Sequence, residues 1–145
     1  MSCTLQLPLV QRVLASRNRD QPTITSGNNI LYLETETDRI LFDTGNGVPN
    51  FGAGGQLFPN LEAQGITRES ITRVLLSHAH SDHIGGLLLD DRTTLAFPSA
   101  TVHIARVEYD YWLGGGPPFT DSDLAADVIA RQAASIAPVL ELVWF

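Results

Sequence analysis

The chain has 145 residues, 43% of them hydrophobic and 17% charged, with a net charge of -7; that balance suits one globular domain, residues 1–145, with its own core. All nine basic residues are arginines, so no Schiff-base or phosphate-loop lysine is available, and the acidic balance argues against a surface for nucleic-acid backbones. The lone cysteine, Cys3, can close neither an internal disulfide nor a cysteine zinc cage, no apolar run reaches membrane-spanning length, and Met1 to Val10 lacks a basic leader, so the expectation is a cytoplasmic protein with no membrane partner.

In chain order, Pro8 opens an apolar stripe of Leu9, Val10, Val13 and Leu14, the pattern of an amphipathic helix. Residues 29–34 and 39–43 are expected as a strand pair, with Glu36, Thr37 and Asp38 in the turn. Thr44 to Gly55 holds five glycines and a proline and is expected as a loop. Leu57 and Leu61 mark a helix stopped by Gly65. Thr67 caps a single helical turn, and Arg73 to Ser77 form a short buried strand. A strand at Thr101–Ala105 and a helix at Glu108–Trp112, ended by Gly114, follow. A longer helix opens at Asp121, carries Leu124, Val128, Gln132 and Ile136 on one face, and is closed by Pro138. Val139 to Phe145 is expected as a last strand. Strands alternate with helices, so the class is α/β.

His78-x-His80-x-Asp82-His83 places four ligand-capable side chains within six residues. In extended backbone, residues two apart point the same way, so His78 and His80 can grip one ion. Asp82 and His83 come after the chain turns and can face a second ion. Two divalent ions ~3.5–4 Å apart can share a hydroxide, an arrangement used by many hydrolases. Gly85 and Gly86 let backbone pack closely below. The competing interpretation is an exposed histidine-rich loop without an ion. Asp43 ends a strand, where a carboxylate can orient a ligating imidazole; Asp43-Thr44-Gly45 is equally turn chemistry, and an aspartic-protease site would need a second copy. His103 is expected as a structural strand residue. Phe51, Tyr109, Tyr111 and Trp112 can line an apolar pocket or fill the core.

Residues Asn29–Glu34, Ile40–Gly45 and Val74–Leu87 resemble the N-terminal half of metallo-β-lactamase-fold hydrolases. Asn60–Ile66, Phe97–Val102 and Glu108–Trp112 resemble the branch with methyl parathion hydrolase and quorum-quenching lactonase-like enzymes. The resemblance runs from about Pro22 onward and implies an αββα sandwich, of which this chain holds the first half. It implies His78 and His80 at one metal, Asp82 and His83 at a second, Asp82 as the catalytic carboxylate and Asp43 as support. It further implies two zinc ions and a small ester-like substrate, a lactone or an organophosphate ester, attacked by a hydroxide shared between the metals.

The family draws three further ligands from its C-terminal half, and no histidine follows His103. Ligand counting agrees, since catalytic zinc usually takes three protein ligands and the motif offers two per ion. The chain is therefore expected to be a fragment, a truncated product or one partner of a split assembly. It would be poorly active alone and prone to self-association or to pairing with a chain that completes the sandwich. The alternative is a non-catalytic remnant that binds metal weakly. A nucleic-acid hydrolase of the same fold is disfavoured by the charge.

Overall fold

A computed structural model of the chain describes residues 12–13, 15–16, 27–47, 55–114, 134 and 136–141. Among the described residues four strands form one sheet in chain order: β1 (Leu31–Glu34), β2 (Arg39–Phe42), β3 (Arg73–Leu75) and β4 (Thr101–His103). β1 and β2 are antiparallel, and β2, β3 and β4 run parallel. The hairpin turn is held by Thr35, whose hydroxyl accepts the N–H of Asp38 at 2.9 Å while its own N–H donates to the Asp38 carbonyl at 2.9 Å. This is the local side-chain chemistry that favours a tight reversal.

Parallel neighbours need crossovers. Between β2 and β3 the chain forms α1 (Leu57–Ala63) and a 3-10 turn at Arg68–Ser70. Gly65 ends the first of these with a φ of +71°, a left-handed conformation natural to glycine. Thr67 precedes the 3-10 turn as expected, but its side chain makes no capping hydrogen bond. Between β3 and β4 lie α2 (Ser81–Ile84) and a 3-10 turn at Gly85–Leu87. The chain then enters α3 (Arg106–Leu113), closed at Gly114.

Register places Tyr32, Leu41, Val74 and Val102 in one cross-strand row. Leu41 and Val74 are fully buried there, among Leu61, Ile71, Leu87, Trp112 and Ile136. The opposite face carries the rows Leu31–Phe42–Leu75–His103 and Leu33–Ile40–Arg73–Thr101. Leu31 and Leu33 are 58% and 44% exposed, and none of these side chains belongs to the core cluster.

Two expectations change. Residues 139–141 are helical, continuous with 136–138, so Pro138 does not close the helix and no strand begins at Val139. Val139 and Leu140 are buried beside Ile136; a short apolar run fits a buried helix as well as a strand, and tertiary burial decides. Near the N-terminus, residues 12–13 and 15–16 are helical, but Val13 is 52% exposed, so the expected apolar stripe meets solvent at that position. Leu9, Val10, Leu14, Phe51 and residues 121–133 lie outside the described residues. Among the described residues no helix is long and apolar enough to cross a membrane.

Candidate metal centre

The site lies where β2 and β3 end, side by side. Their parallel pairing continues for one more residue, with the Asp43 N–H donating to the Leu75 carbonyl at 2.9 Å. Asp43 then turns with a φ of 63°. Its carboxylate reaches the neighbouring strand end: Oδ1 accepts the Ser77 N–H at 2.8 Å and Oδ2 accepts the Ser77 hydroxyl at 2.8 Å. The same Oδ2 lies 2.9 Å from His83 Nδ1. Thr44, fully buried, ties the loop to α2 by donating its N–H and its hydroxyl to the His83 carbonyl at 2.7 and 2.8 Å.

These bonds fix ring tautomers. His83 Nδ1 faces a carboxylate, so it carries the proton and leaves Nε2 with a free lone pair. The Ser77 hydroxyl is committed to Asp43, so it can only accept from His78 Nδ1, 3.0 Å away. His78 Nε2 is thereby also left basic; it lies 3.1 Å from His80 Nδ1. The His78 and His83 rings are 3.9 Å apart, centroid to centroid, and those of His78 and His80 are 4.7 Å apart. Asp82 stands outside this cluster, its Oδ2 3.5 Å from His83 Nε2. Asn28 steadies it, donating from Nδ2 to the Asp82 carbonyl and to Oδ2, both at 3.0 Å.

Burial pushes the Asp43 carboxyl up, but the hydrogen bonds from His83 and Ser77 outweigh it and hold the group below the usual carboxylate range. Asp82 is held low in the same way, burial being outweighed by Asn28 and by the charges of His83 and His80. Burial lowers His78, and the nearby His83 and His80 lower it further. The centre thus favours anionic carboxylates at Asp43 and Asp82 and a neutral imidazole at His78, the protonation states in which such groups bind divalent metals.

The structure brings His78, His80, Asp82, His83 and Asp43 to one sheet edge. Among the described residues, however, no three His, Cys, Asp or Glu side chains are arranged to enclose one ion. The chemistry of the donor set suits zinc. His103 stands on β4, its Nε2 buried without a partner among the described residues. Trp112 is 4% exposed, and Tyr109 and Tyr111 are half-buried and pack against the core. Sequence inspection missed Ser77, Asn28 and Glu108. Glu108 Oε1 accepts the Ala79 N–H at 2.9 Å and the Trp112 indole N–H at 2.7 Å. Ser77 was signalled only by its place next to the motif and Glu108 only by the resemblance of Glu108–Trp112 to a hydrolase branch; Asn28 carried no signal.

A mixed sheet with an imidazole and carboxylate cluster at the ends of two parallel strands defines a class that sequence comparison resolves. The profile of the metallo-beta-lactamase superfamily matches residues 24–132, and the chain belongs to that superfamily. Among its relatives, metallo-beta-lactamase domain-containing protein 1 of Homo sapiens is 36% identical over 115 residues, 79% of this chain and 38% of that protein. The lactamase-like protein notP of an Aspergillus species is 35% identical over 81 residues, 55% of this chain and 24% of that protein. Among solved structures, AidC, a dizinc quorum-quenching lactonase in complex with a product, superposes with a TM-score of 0.82 at 29% identity. The match takes in 96% of this chain and 48% of AidC. The hydrolase AbOPH gives a TM-score of 0.73 at 25% identity, over 97% of this chain and 47% of its own. The chain thus spans between a quarter and a half of the length of these proteins.

Proposed function

We propose that this chain supplies the His78, His80, Asp82 and His83 side of a two-zinc centre that hydrolyses a small ester-like substrate, a lactone or an organophosphate ester. The observation that carries this is the locked pair of Nε2 lone pairs on His78 and His83, set by Ser77 and Asp43. The dizinc lactonase AidC, superposable over 96% of the chain, supports the metal and the substrate class. When bound, two divalent ions supply a water acidic enough to ionise near neutral pH and polarise the scissile oxygen. The protein's own part is to hold the His78 and His83 rings by their Nδ1 atoms, to keep Asp82 anionic against Asn28, and to hold Asp43 beneath His83 without offering it as a ligand.

Titration of the 145-residue chain with Zn2+ against a chromophoric chelator tests this. Up to two ions per chain are expected, with His78→Ala and His83→Ala each weakening uptake by at least ~10-fold. No uptake by the unaltered chain would overturn the proposal. Turnover of an acyl-homoserine lactone or a phosphotriester by this chain is expected to be close to background, because two ligands per ion leave the reacting groups loosely placed. Robust, chelator-sensitive turnover would refute that expectation. That no three donors among the described residues are arranged to enclose one ion also favours a second interpretation, weak metal binding without catalysis; one loosely held ion per chain distinguishes it.

A further inference from the structure

We propose that Glu108 is a positioning residue for the His78–His80 pair, an inference that rests on the metal centre proposed above. One carboxylate oxygen of Glu108 accepts two hydrogen bonds, from the Ala79 backbone N–H at 2.9 Å and from the Trp112 indole at 2.7 Å. Ala79 is fully buried and lies between the two histidines, in the irregular stretch after β3 where no strand partner fixes the backbone. Its N–H needs an acceptor, and a carboxylate gives a stronger bond than a neutral group.

Glu108 and Trp112 are four residues apart on α3 and so share a face. The indole, 4% exposed, anchors the carboxylate, and its ring meets His80 edge-on at a centroid distance of 5.6 Å. One helix therefore acts on the pair twice, holding the peptide between the histidines and bracing one ring. Fixing the Ala79 N–H sets the backbone directions of both neighbours, and hence where the two imidazoles point. Partners that orient metal ligands in this manner typically change metal affinity by ~10- to 100-fold when removed.

The test compares the unaltered chain with Glu108→Ala and Glu108→Gln in two measurements. Amide hydrogen exchange of the metal-free chain reports on Ala79 directly. Exchange there should rise by at least ~10-fold over its neighbours in Glu108→Ala and stay near the starting value in Glu108→Gln, which keeps an acceptor oxygen. Zn2+ affinity should fall by ~10- to 100-fold in Glu108→Ala and by much less in Glu108→Gln. Unchanged exchange at Ala79 in the alanine variant overturns the proposal, as does an affinity loss in Glu108→Gln equal to that in Glu108→Ala. If Glu108→Ala does not melt cooperatively, Trp112→Phe replaces it by removing only the indole donor. A smaller rise in Ala79 exchange is then expected, and none at all refutes the role. Should the unaltered chain bind no Zn2+, the metal-centre proposal fails, and the exchange measurement alone decides whether Glu108 holds this backbone.

Discussion

Asp43 pairs an uncommon backbone with a fully engaged side chain. Its φ of 63° is tolerated better by aspartate and asparagine than by most residues. The turn aims the carboxylate across to Ser77 and His83 instead of along β2. The His-rich motif was legible in the sequence because its spacing is local. Asn28 and Glu108 were not, because each reaches its partner across 54 and 29 residues, and a lone polar side chain carries no periodic signal. Asp91 shows residue-scale electrostatics away from the site. The Thr94 hydroxyl and the backbone N–H groups of Thr93 and Thr94 hold it down, at a pKa of about 2. A carboxyl lowered on folding adds stability that is complete above its unfolded value and disappears as pH falls through the folded one. The relevant window therefore runs from about pH 4 down to about pH 2. A carboxyl-carbon NMR titration should place the Asp91 midpoint near the bottom of that window, and Thr94→Val should move it upward without reaching 3.8. A midpoint unmoved by that substitution would discount the hydroxyl.

Elements meet at the site through glycine. A Cβ on Gly85 would lie 2.3 Å from the Asn46 carbonyl oxygen, and one on Gly86 would lie 2.4 Å from that of Thr44. The first turn after α2 is thus pressed against the loop after β2, backbone to backbone, which no larger residue permits. Gly86→Ala should force the two segments apart and cost ~1–3 kcal/mol of unfolding free energy, as overpacking does. It should also move the His83 ring resonances, since His83 is bonded to Thr44 on the same contact. Urea melts and a histidine NMR spectrum check both, and unchanged values would show that the loop yields freely. The glycine pair was visible in the sequence as a close approach, although its partner segment was not. The four strands, α1 and α3 followed from alternation, spacing and glycine stops. α2 did not, since one turn is too short to show a helical period. The strand expected from Val139 went wrong at 139–141 because β-branched and aromatic neighbours favour a strand when burial is unknown.

At the scale of the molecule, the two faces of the sheet are unequal. One is covered by the core; the other presents Leu31 and Leu33 to solvent beside Ile40, Phe42 and Leu75. Apolar patches of this kind on soluble proteins usually mark an interface, and among the described residues β1 and β4 are the edge strands of the sheet, the kind that can pair with another chain. The 145-residue chain is therefore expected to self-associate at micromolar concentration, or to remain monomeric only with a second chain on that face. Sedimentation velocity should show a concentration-dependent rise in mean mass that Leu31→Lys with Leu33→Lys suppresses. A monomer at all concentrations, melting cooperatively, would contradict it.

The parallel pairing of β2 with β3 has a kinetic consequence. The β1–β2 hairpin closes over four residues, whereas Asp43 meets Ser77 across 34 and Thr44 meets His83 across 39. Loop closure grows costlier with length, and non-local pairings form slowly. During refolding the hairpin can zip early, while the supports of His83 sit on two segments that meet only once β2 has paired with β3. The ring environment of His83 is thus a clock for that pairing, set by the same strand ends that position the cluster.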